Sequence, residues 1–500
     1  MTAPRKTSVP PKANGKPPAK PPTNGQEAKT DPKRPIQPQP PARAFNFASG
    51  SHVELSHALL QQLQSVADGK LKIPVYDEGS LYRYNPTSGV WERVDEVKAG
   101  KIIQGFDGAQ AGRQPLKLKE SDVKGGLACA RREASVEGFF SSAPAGLVFK
   151  DALVSIAPDG GVTKAPHSST NRARFAYDFD YTEEEPTEFL AAMRGMFQPD
   201  EDVEAKINLI GEFAGASLLG GATKLQRWIL LKGGGDDGKS TLIDMIRGAM
   251  PAGSTCSIKP EDLEDQYSRA DLAGKLLNTV TEVKQRDILE AETLKAVTAG
   301  DEMRGRRIRE APIDFKPRAG HIFAANGYPK FSDSSHGFWR RPIVITFNRR
   351  FTGDPAKIVG LAEEILRRER PAIVCWLVRN GAKAIARGSY LEPKSHVAAI
   401  QEWRGETDAV FEFIEECLVV SKKKTPSIVN GWSSPPDLYR AFVEWAGETG
   451  HREMSSTAFG RRLTELGHAD QKAGNGQRYR PLRVLAKGEV KASDGTLARN

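Results

Sequence analysis

Residues 233–240 carry the residue types and spacing with the clearest chemical meaning in this chain. The run Gly-Gly-Gly-Asp-Asp-Gly-Lys-Ser fits the phosphate-loop pattern G-x-x-x-x-G-K-S/T at every fixed position. Glycines let backbone N–H groups approach phosphate oxygens, a following helix adds partial positive charge, and the lysine neutralises anionic charge. The Ser240 hydroxyl is the expected ligand of a nucleotide-bound Mg²⁺. The predicted ATP-binding residues are Gly233, Gly234, Gly235, Asp236, Asp237, Gly238, Lys239, Ser240 and Thr241.

Two carboxylates inside this loop are unusual. Asp236 and Asp237 would repel a triphosphate unless they point away from it or meet Mg²⁺. If they face the phosphates, they would weaken nucleotide binding.

Two later polar residues each end an apolar run. Glu282 closes Leu-Leu-Asn-Thr-Val-Thr-Glu, about 40 residues after the loop, and Asn326 closes His-Ile-Phe-Ala-Ala-Asn. The first run is typical of a Walker B strand, whose acid polarises the attacking water or holds the Mg²⁺ shell. The second is typical of the strand that senses the γ-phosphate in additional-strand ATPases. The alternatives are an ordinary strand that ends at the surface for Glu282, and the start of an Asn-Gly-Tyr-Pro turn for Asn326.

Two segments beyond Glu282 are rich in arginine. Arg340 and Arg341 follow Phe-Trp and suit an arginine finger, often supplied by a neighbouring subunit, although a surface ion pair is the alternative. Residues 303–318 hold six basic and two acidic residues, a net charge of +4. We interpret them as a hairpin that contacts single-stranded DNA, or else as a solvated loop whose arginines meet acids elsewhere. The predicted DNA-binding residues are Arg304, Arg306, Arg307, Arg309 and Lys316.

The elements around these residues predict the architecture. Residues 228–231 form an apolar run before the loop, and apolar residues at helical spacing follow it. Alternation of short strands and helices predicts an α/β core with a parallel sheet. The predicted divisions are a disordered tail (1–48), an α+β domain with a hairpin at 81–91 (49–200), the ATPase core (201–400), a winged-helix domain of three helices and a hairpin (405–486), and a flexible tail (487–500).

Composition limits the class of protein. The 500 residues carry a net charge of +9, but residues 1–45 hold nine basic and two acidic residues and 12 of the 33 prolines. The remaining 455 residues therefore net only 9 − 7 = +2. We find no apolar run long enough for a membrane span and no secretory signal. The four cysteines lack metal-binding spacing, so we expect a reduced, cytoplasmic chain without structural zinc.

The order of these motifs resembles a superfamily 3 helicase of the phage/plasmid and poxvirus-type primase-helicase family. The resemblance extends to the segments 81–200 and 405–485. It implies an AAA+-like core in a ring, usually a hexamer, that unwinds forked DNA with ATP and Mg²⁺, moving 3′→5′ on a single strand. It assigns Lys239 and Ser240 to phosphate and Mg²⁺, Glu282 to Walker B, and Asn326 to sensor 1. It further makes Arg340 or Arg341 the finger, and places Arg306 and Arg307 in the DNA hairpin. A phage, prophage or plasmid in a bacterial host is the implied source.

Three departures from the family pattern leave alternatives open. Asp237 stands where these loops usually have Asn, Thr281 stands where many helicases have a second acid, and no primase core with catalytic aspartates is evident upstream. We therefore expect a helicase without priming activity, with a primase or polymerase on another chain. The alternatives are a non-catalytic or weakly ATP-hydrolysing origin-binding or DNA-binding protein, and a P-loop phosphotransferase.

Overall fold

The computed structural model describes residues 45–283, 288–308, 310, 312–331, 335–355, 357–451, 454–486, 489–491 and 497–499. The predicted tails at 1–48 and 487–500 lie mostly outside these residues. Their described parts are folded, because Phe45 and Phe47 pack on Phe106 and residues 489–491 pair with 497–499.

The helices of the described residues are α1 His52–Leu63, α2 Glu96–Gln104, α3 Glu120–Glu133, α4 Thr187–Phe197, α5 Val203–Leu218, α6 Ala222–Leu225, α7 Lys239–Ala249, α8 Gln266–Ala270, α9 Ala291–Ala299, α10 His336–Trp339, α11 Leu361–Arg387, α12 Lys394–Thr407, α13 Ala409–Cys417, α14 Pro435–Thr449 and α15 Ser456–Glu465. Within the described residues, we find no helix with the length and apolar character that crossing a membrane requires.

The strands are β1 Ser65–Ala67, β2 Lys70–Lys72, β3 Val75–Asp77, β4 Ser80–Asn85, β5 Val90–Val94, β6 Gln110–Ala111, β7 Gln114–Pro115, β8 Gly146–Val148, β9 Leu153–Ile156, β10 Val162–Ala165, β11 Trp228–Gly233, β12 Thr255–Cys256, β13 Leu277–Val280, β14 Ile288–Leu289, β15 Met303–Arg306, β16 Pro312–Phe315, β17 Gly320–Ala325, β18 Lys330–Phe331, β19 Pro342–Phe347, β20 Leu418–Val420, β21 Gln471–Lys472, β22 Arg478–Tyr479, β23 Leu482–Val484, β24 Glu489–Lys491 and β25 Leu497–Arg499.

A five-stranded parallel sheet organises the middle of the chain, in the order β12-β13-β17-β11-β19. The predicted mixed α/β core with a parallel sheet is therefore confirmed. Alternate residues of β11 enter two cores. Ile229 and Leu231 pack with α5, α7 and α11, whereas Trp228 and Leu230 pack with α9 and α12. Helices cover both faces, which is why β11 is an almost continuous apolar run.

The described residues 45–499 pack as one compact unit, and one apolar cluster crosses the predicted boundary between residues 200 and 201. Phe149 and Tyr177 of the preceding region and Phe189 of α4 are buried in the same cluster as Ile229 of the central sheet. Sequence periodicity does not reveal this shared core, because it reports which residues are buried and not which elements bury them together.

The hairpins predicted at either end of the chain are confirmed. Residues 81–85 of β4 pair with residues 90–94 of β5, and the Asn85 side chain accepts a hydrogen bond from the Thr87 N–H at 2.9 Å to shape the turn. Near the other end, residues 471–472 of β21 pair with residues 478–479 of β22. Residues of α13, α14, α15, β20 and β23 form a separate apolar cluster. The predicted limit at residue 405 falls inside α12, whose Trp403 is fully buried beneath the central sheet.

A buried histidine in the sheet gives a stability prediction. Asn278 bonds the Ile258 backbone through both amide atoms, at 2.7 and 2.8 Å, and this fixes its orientation. Its amide N–H therefore donates to Nδ1 of His321, 3.2 Å away, and that bond requires a neutral imidazole. Burial lowers the pKa of His321 from 6.5 to about 4.

We expect acid to destabilise the protein through His321. Between pH 6.5 and about 4, His321 is protonated in the unfolded chain but stays neutral in the folded chain. The free energy of unfolding therefore decreases as the pH falls through this range, by at most about 3 kcal/mol. Urea unfolding followed at pH 7 and pH 5 measures this. The H321Q variant should lose less stability between these values than the wild type, whereas H57Q, an exposed control, should match the wild type. Equal losses for H321Q and wild type would contradict the assignment.

Candidate nucleotide-binding site

The loop 234–238 joins β11 to α7 at the carboxyl edge of the parallel sheet. Gly238 precedes α7 with φ +95°, a left-handed conformation that glycine adopts without strain. The N–H groups of the first turn of α7 therefore open toward the loop. Open α/β sheets bind ligands at this edge, next to a strand from which the chain crosses to a distant part of the sheet. Here β11 lies between β17 and β19, whereas the next strand along the chain, β12, lies at the far side of the sheet.

The loop has no room for side chains where it turns closest to its neighbours. A Cβ added to Gly233 would collide with the carboxylate of Asp237, and one added to Gly234 would lie 2.6 Å from Nη2 of Arg350. A side chain at either position would have to displace one of these charged groups.

Asp237 and Lys239 form an ion pair inside the loop. Oδ2 of Asp237 lies 2.5 Å from Nζ of Lys239, and both side chains are buried. The same carboxylate also accepts hydrogen bonds from the N–H groups of Gly235 and Lys239 at 3.2 and 3.3 Å. Asp237 thus occupies the cationic and N–H groups that a phosphate would use.

Asp236 points away from the loop. Its carboxylate accepts hydrogen bonds from Thr352 at 2.8 Å and from Lys357 at 2.7 Å, and these bonds lower the pKa of Asp236. The two loop carboxylates therefore have different partners, which their adjacency in the sequence does not indicate.

Glu282 and Asn326 lie at the same edge of the sheet as the loop. Glu282 is exposed just beyond β13, and the next residue, Val283, donates its N–H to the carbonyl of Ala324 at 2.8 Å. Asn326 follows Ala325, which pairs with Lys232 next to the loop. The parallel pairing brings together the three segments whose residue patterns predict nucleotide chemistry.

Arg340 and Arg341 lie at the opposite edge of the sheet. The carbonyl of Arg341 accepts the N–H of Trp228, the first residue of β11, at 3.0 Å. Arg340 is exposed and its guanidinium donates to the Gln226 side chain at 3.0 Å, whereas Arg341 is half-buried and donates to the Gly337 carbonyl. A six-residue strand is roughly 20 Å long, so these arginines do not reach the loop of their own chain.

The basic segment forms the predicted hairpin, with Met303 opposite Phe315. Arg304, Arg306 and Lys316 are exposed, and Arg304 is 3.8 Å from the carboxylate of Asp314. Arg309 lies outside the described residues.

Arg307 has a different environment from the other hairpin arginines. Its half-buried guanidinium lies 3.4 Å from the Gly79 carbonyl and 3.7 Å from the Glu310 carboxylate. Arg307 would therefore have to break these intramolecular contacts in order to bind DNA.

Sequence reasoning did not identify Arg350 at this site. Its guanidinium lies over Gly234, and it follows β19 at the carboxyl edge. A signal was present, because Arg349 and Arg350 follow an apolar strand within three residues, much as Glu282 and Asn326 follow theirs.

This chain is similar over part of its length to several known proteins. Residues 231–341 match a family of unknown function, DUF5906. A protein of Acanthamoeba polyphaga mimivirus named "Putative helicase L207/L206" is 24% identical over an alignment of 261 residues that covers 46% of this chain and 26% of that protein. The match therefore spans about a quarter of the length of that relative.

Solved structures of the C-terminal region of NrS-1 are also similar. Two apo structures give TM-scores of 0.45 and 0.44 at 14% identity, each covering 87% of this chain and 99% of that chain. Part of this chain is thus similar to a viral protein that is named as a helicase. A more specific function has to be argued from the geometry of the loop and its neighbours.

The Asp237–Lys239 pair yields a prediction for nucleotide affinity. The D237N variant should bind ATP about tenfold more tightly than the wild type, because it removes a carboxylate that competes for Lys239 and repels phosphate. Calorimetric titration with a non-hydrolysable ATP analogue measures the dissociation constant. The matched control is D244N, which removes an equal charge from the exposed face of α7. D237N affinity equal to or weaker than that of the wild type would count against this role of Asp237.

Proposed function

We propose that this protein is an ATP-dependent DNA helicase that works as a ring of identical subunits, built on an AAA+-like core. The observation that carries the proposal is the placement of the glycine loop, Glu282 and Asn326 at one edge of a parallel sheet, with Arg340 and Arg341 at the other.

The sheet order supports the additional-strand class of ATPase. The strand that leads to Asn326, β17, lies between β11, which leads to the phosphate loop, and β13, which leads to Glu282. One strand is thus inserted between the loop strand and the acid strand. With ATP bound at the glycine loop, Asn326 would lie between the phosphates and Glu282, where an amide can orient both the γ-phosphate and the attacking water.

Each residue at the carboxyl edge has a distinct proposed role. Lys239 and the N–H groups of the glycine loop bind the phosphates of ATP. Mg²⁺, held by Ser240 with Glu282 in its shell, would neutralise charge on the β- and γ-phosphates. Glu282, which is exposed beyond its strand, orients the attacking water and accepts its proton.

Arg340 is the arginine that we assign to a neighbouring subunit's nucleotide. It is exposed at the edge opposite its own loop, so a phosphate within its reach belongs to another copy. Arg341 is held half-buried by the Gly337 carbonyl, which favours a structural role. A site completed in trans requires an assembly, and repetition of this head-to-tail contact closes into a ring, which we propose is a hexamer.

Single-stranded and forked DNA are the proposed polymer substrates. Arg304, Arg306 and Lys316 are exposed on the hairpin, and Ile308 at its tip is 77% exposed. Guanidinium and ammonium groups bind backbone phosphates, and an exposed apolar tip can contact unstacked bases. The separate apolar cluster of residues 410–482 supports an additional winged-helix module. We propose that a primase or polymerase on another chain acts with the helicase.

Strand displacement on a forked duplex tests the proposal. We expect single-stranded DNA to stimulate ATP hydrolysis, and ATP to drive strand separation. The K239A variant should lose both activities because it lacks the phosphate-binding lysine, whereas K224A, an exposed lysine outside the site, should keep them. ATP turnover that is unchanged by DNA, together with no strand separation, would contradict the helicase assignment.

A non-catalytic DNA-binding protein is the second candidate, and the Asp237–Lys239 ion pair is the observation that favours it. A loop whose lysine is already neutralised binds nucleotide weakly. The same assay distinguishes the two functions. If the protein is non-catalytic, the wild type and K239A should bind the forked DNA with equal affinity, and neither form should separate its strands.

A further inference from the structure

A short segment after β19 lies over the phosphate loop and is fixed at its start. We call residues 348–355 together with Lys357 the strap. The Asn348 side-chain amide donates to the Asp200 carboxylate at 2.7 Å, and Arg349 donates to the Gly195 carbonyl at 2.8 Å. Arg349 also pairs with Asp354 within the strap at 2.7 Å. These contacts hold the strap where it leaves the sheet.

A single loop residue, Asp236, holds the rest of the strap. The Asp236 carbonyl accepts the N–H of Phe351 at 2.7 Å, and its carboxylate accepts hydrogen bonds from Thr352 and Lys357 at 2.8 and 2.7 Å. The two bonds to the carboxylate give a physical reason for an acid in a phosphate loop, because its charge is directed to the strap.

Arg350 is the residue that this arrangement presents to the loop. It lies between Arg349 and Phe351, both of which are anchored, and its Nη2 comes within 2.6 Å of the Cβ position of Gly234. Within the described residues, its guanidinium has no hydrogen-bond or ion-pair partner, and the residue is exposed.

The charges around the loop distinguish Arg350 from its neighbours. Lys239 is paired with Asp237 and Lys357 with Asp236. A phosphate that enters the loop therefore meets Lys239 and Lys357, which are already paired with carboxylates. It also meets Arg350, which has no such partner in the described part of the chain. The Arg350 guanidinium can thus bind phosphate oxygens in a bidentate manner without first breaking an intramolecular pair.

We propose that Arg350 contacts the polyphosphate of the nucleotide bound in its own subunit, and that Asp236 is a positioning residue that holds the strap for this contact. The inference rests on the proposed nucleotide-binding function. It adds a cis arginine to the site, distinct from the trans arginine at the other end of β19. Because the contact is made to several phosphates, ATP binding depends on Arg350 more than AMP binding does.

Equilibrium titrations of the full chain with a non-hydrolysable ATP analogue and with AMP test the proposal. R350A should weaken binding of the ATP analogue about tenfold or more and change AMP binding by less. R350K should recover part of the loss. R367A, which removes an exposed arginine on α11, is the matched control and should bind like the wild type. Unchanged affinity of R350A for the ATP analogue would overturn the proposal.

Asp236 gives a test with opposite expected signs. Simple charge removal in D236N would tighten nucleotide binding, whereas loss of the strap anchor should weaken it several-fold. The D236N change should have little further effect in the R350A background, since both act through one contact. Tighter binding by D236N, or fully additive effects in the double variant, would overturn the positioning role. If the wild-type chain bound no ATP analogue at all, the proposed function itself would be overturned. K239A, which lacks the phosphate-binding lysine, gives the reference for lost nucleotide binding.

Discussion

The parallel pairing of β11 with β17 on one side and β19 on the other is the constraint on which the rest of this structure depends. Parallel strands place all their carboxyl ends at one edge. The glycine loop, Asn326 and the strap therefore share that edge, and Glu282 joins them through β13. The same pairing sends Arg340 to the other edge. A different strand order would scatter these residues, although each would keep its local sequence context.

Strand β19 consequently has a residue of proposed function at each end. Its amino end follows Arg340 and its carboxyl end leads to Arg350, and the strand between them is almost fully buried. With both proposed contacts made, one rigid element connects the nucleotide of its own subunit with the nucleotide of the next.

The loop carboxylates have complementary effects on this site. Asp237 neutralises Lys239 within the loop, whereas Asp236 fixes the strap that carries Arg350. In the proposed nucleotide site, a bound phosphate would displace the first interaction and benefit from the second. We therefore expect the competition between these charges to set the affinity of the site.

Local patterns explain what the sequence predicted well. The glycine loop, the strand before it and the hairpins are defined by residues close in the chain, where periodicity and turn chemistry are informative. Arg307 shows the limit, because its contact with the Gly79 carbonyl joins residues 228 positions apart. The shared core of Phe149 and Ile229 was missed for the same reason. Which elements become neighbours is decided by packing of the whole chain, and no local pattern encodes it.

Completion of each nucleotide site by a neighbouring subunit is the central claim, and ATP hydrolysis by mixed oligomers tests it most directly. Each variant should be inactive alone, because K239A lacks the loop lysine and R340A lacks the proposed arginine finger. In an equal mixture, interfaces that combine an intact loop with an intact Arg340 should form, restoring about a quarter of wild-type turnover if sites act independently. Full activity of R340A alone, or no recovery in oligomers shown to contain both variants, would contradict the claim.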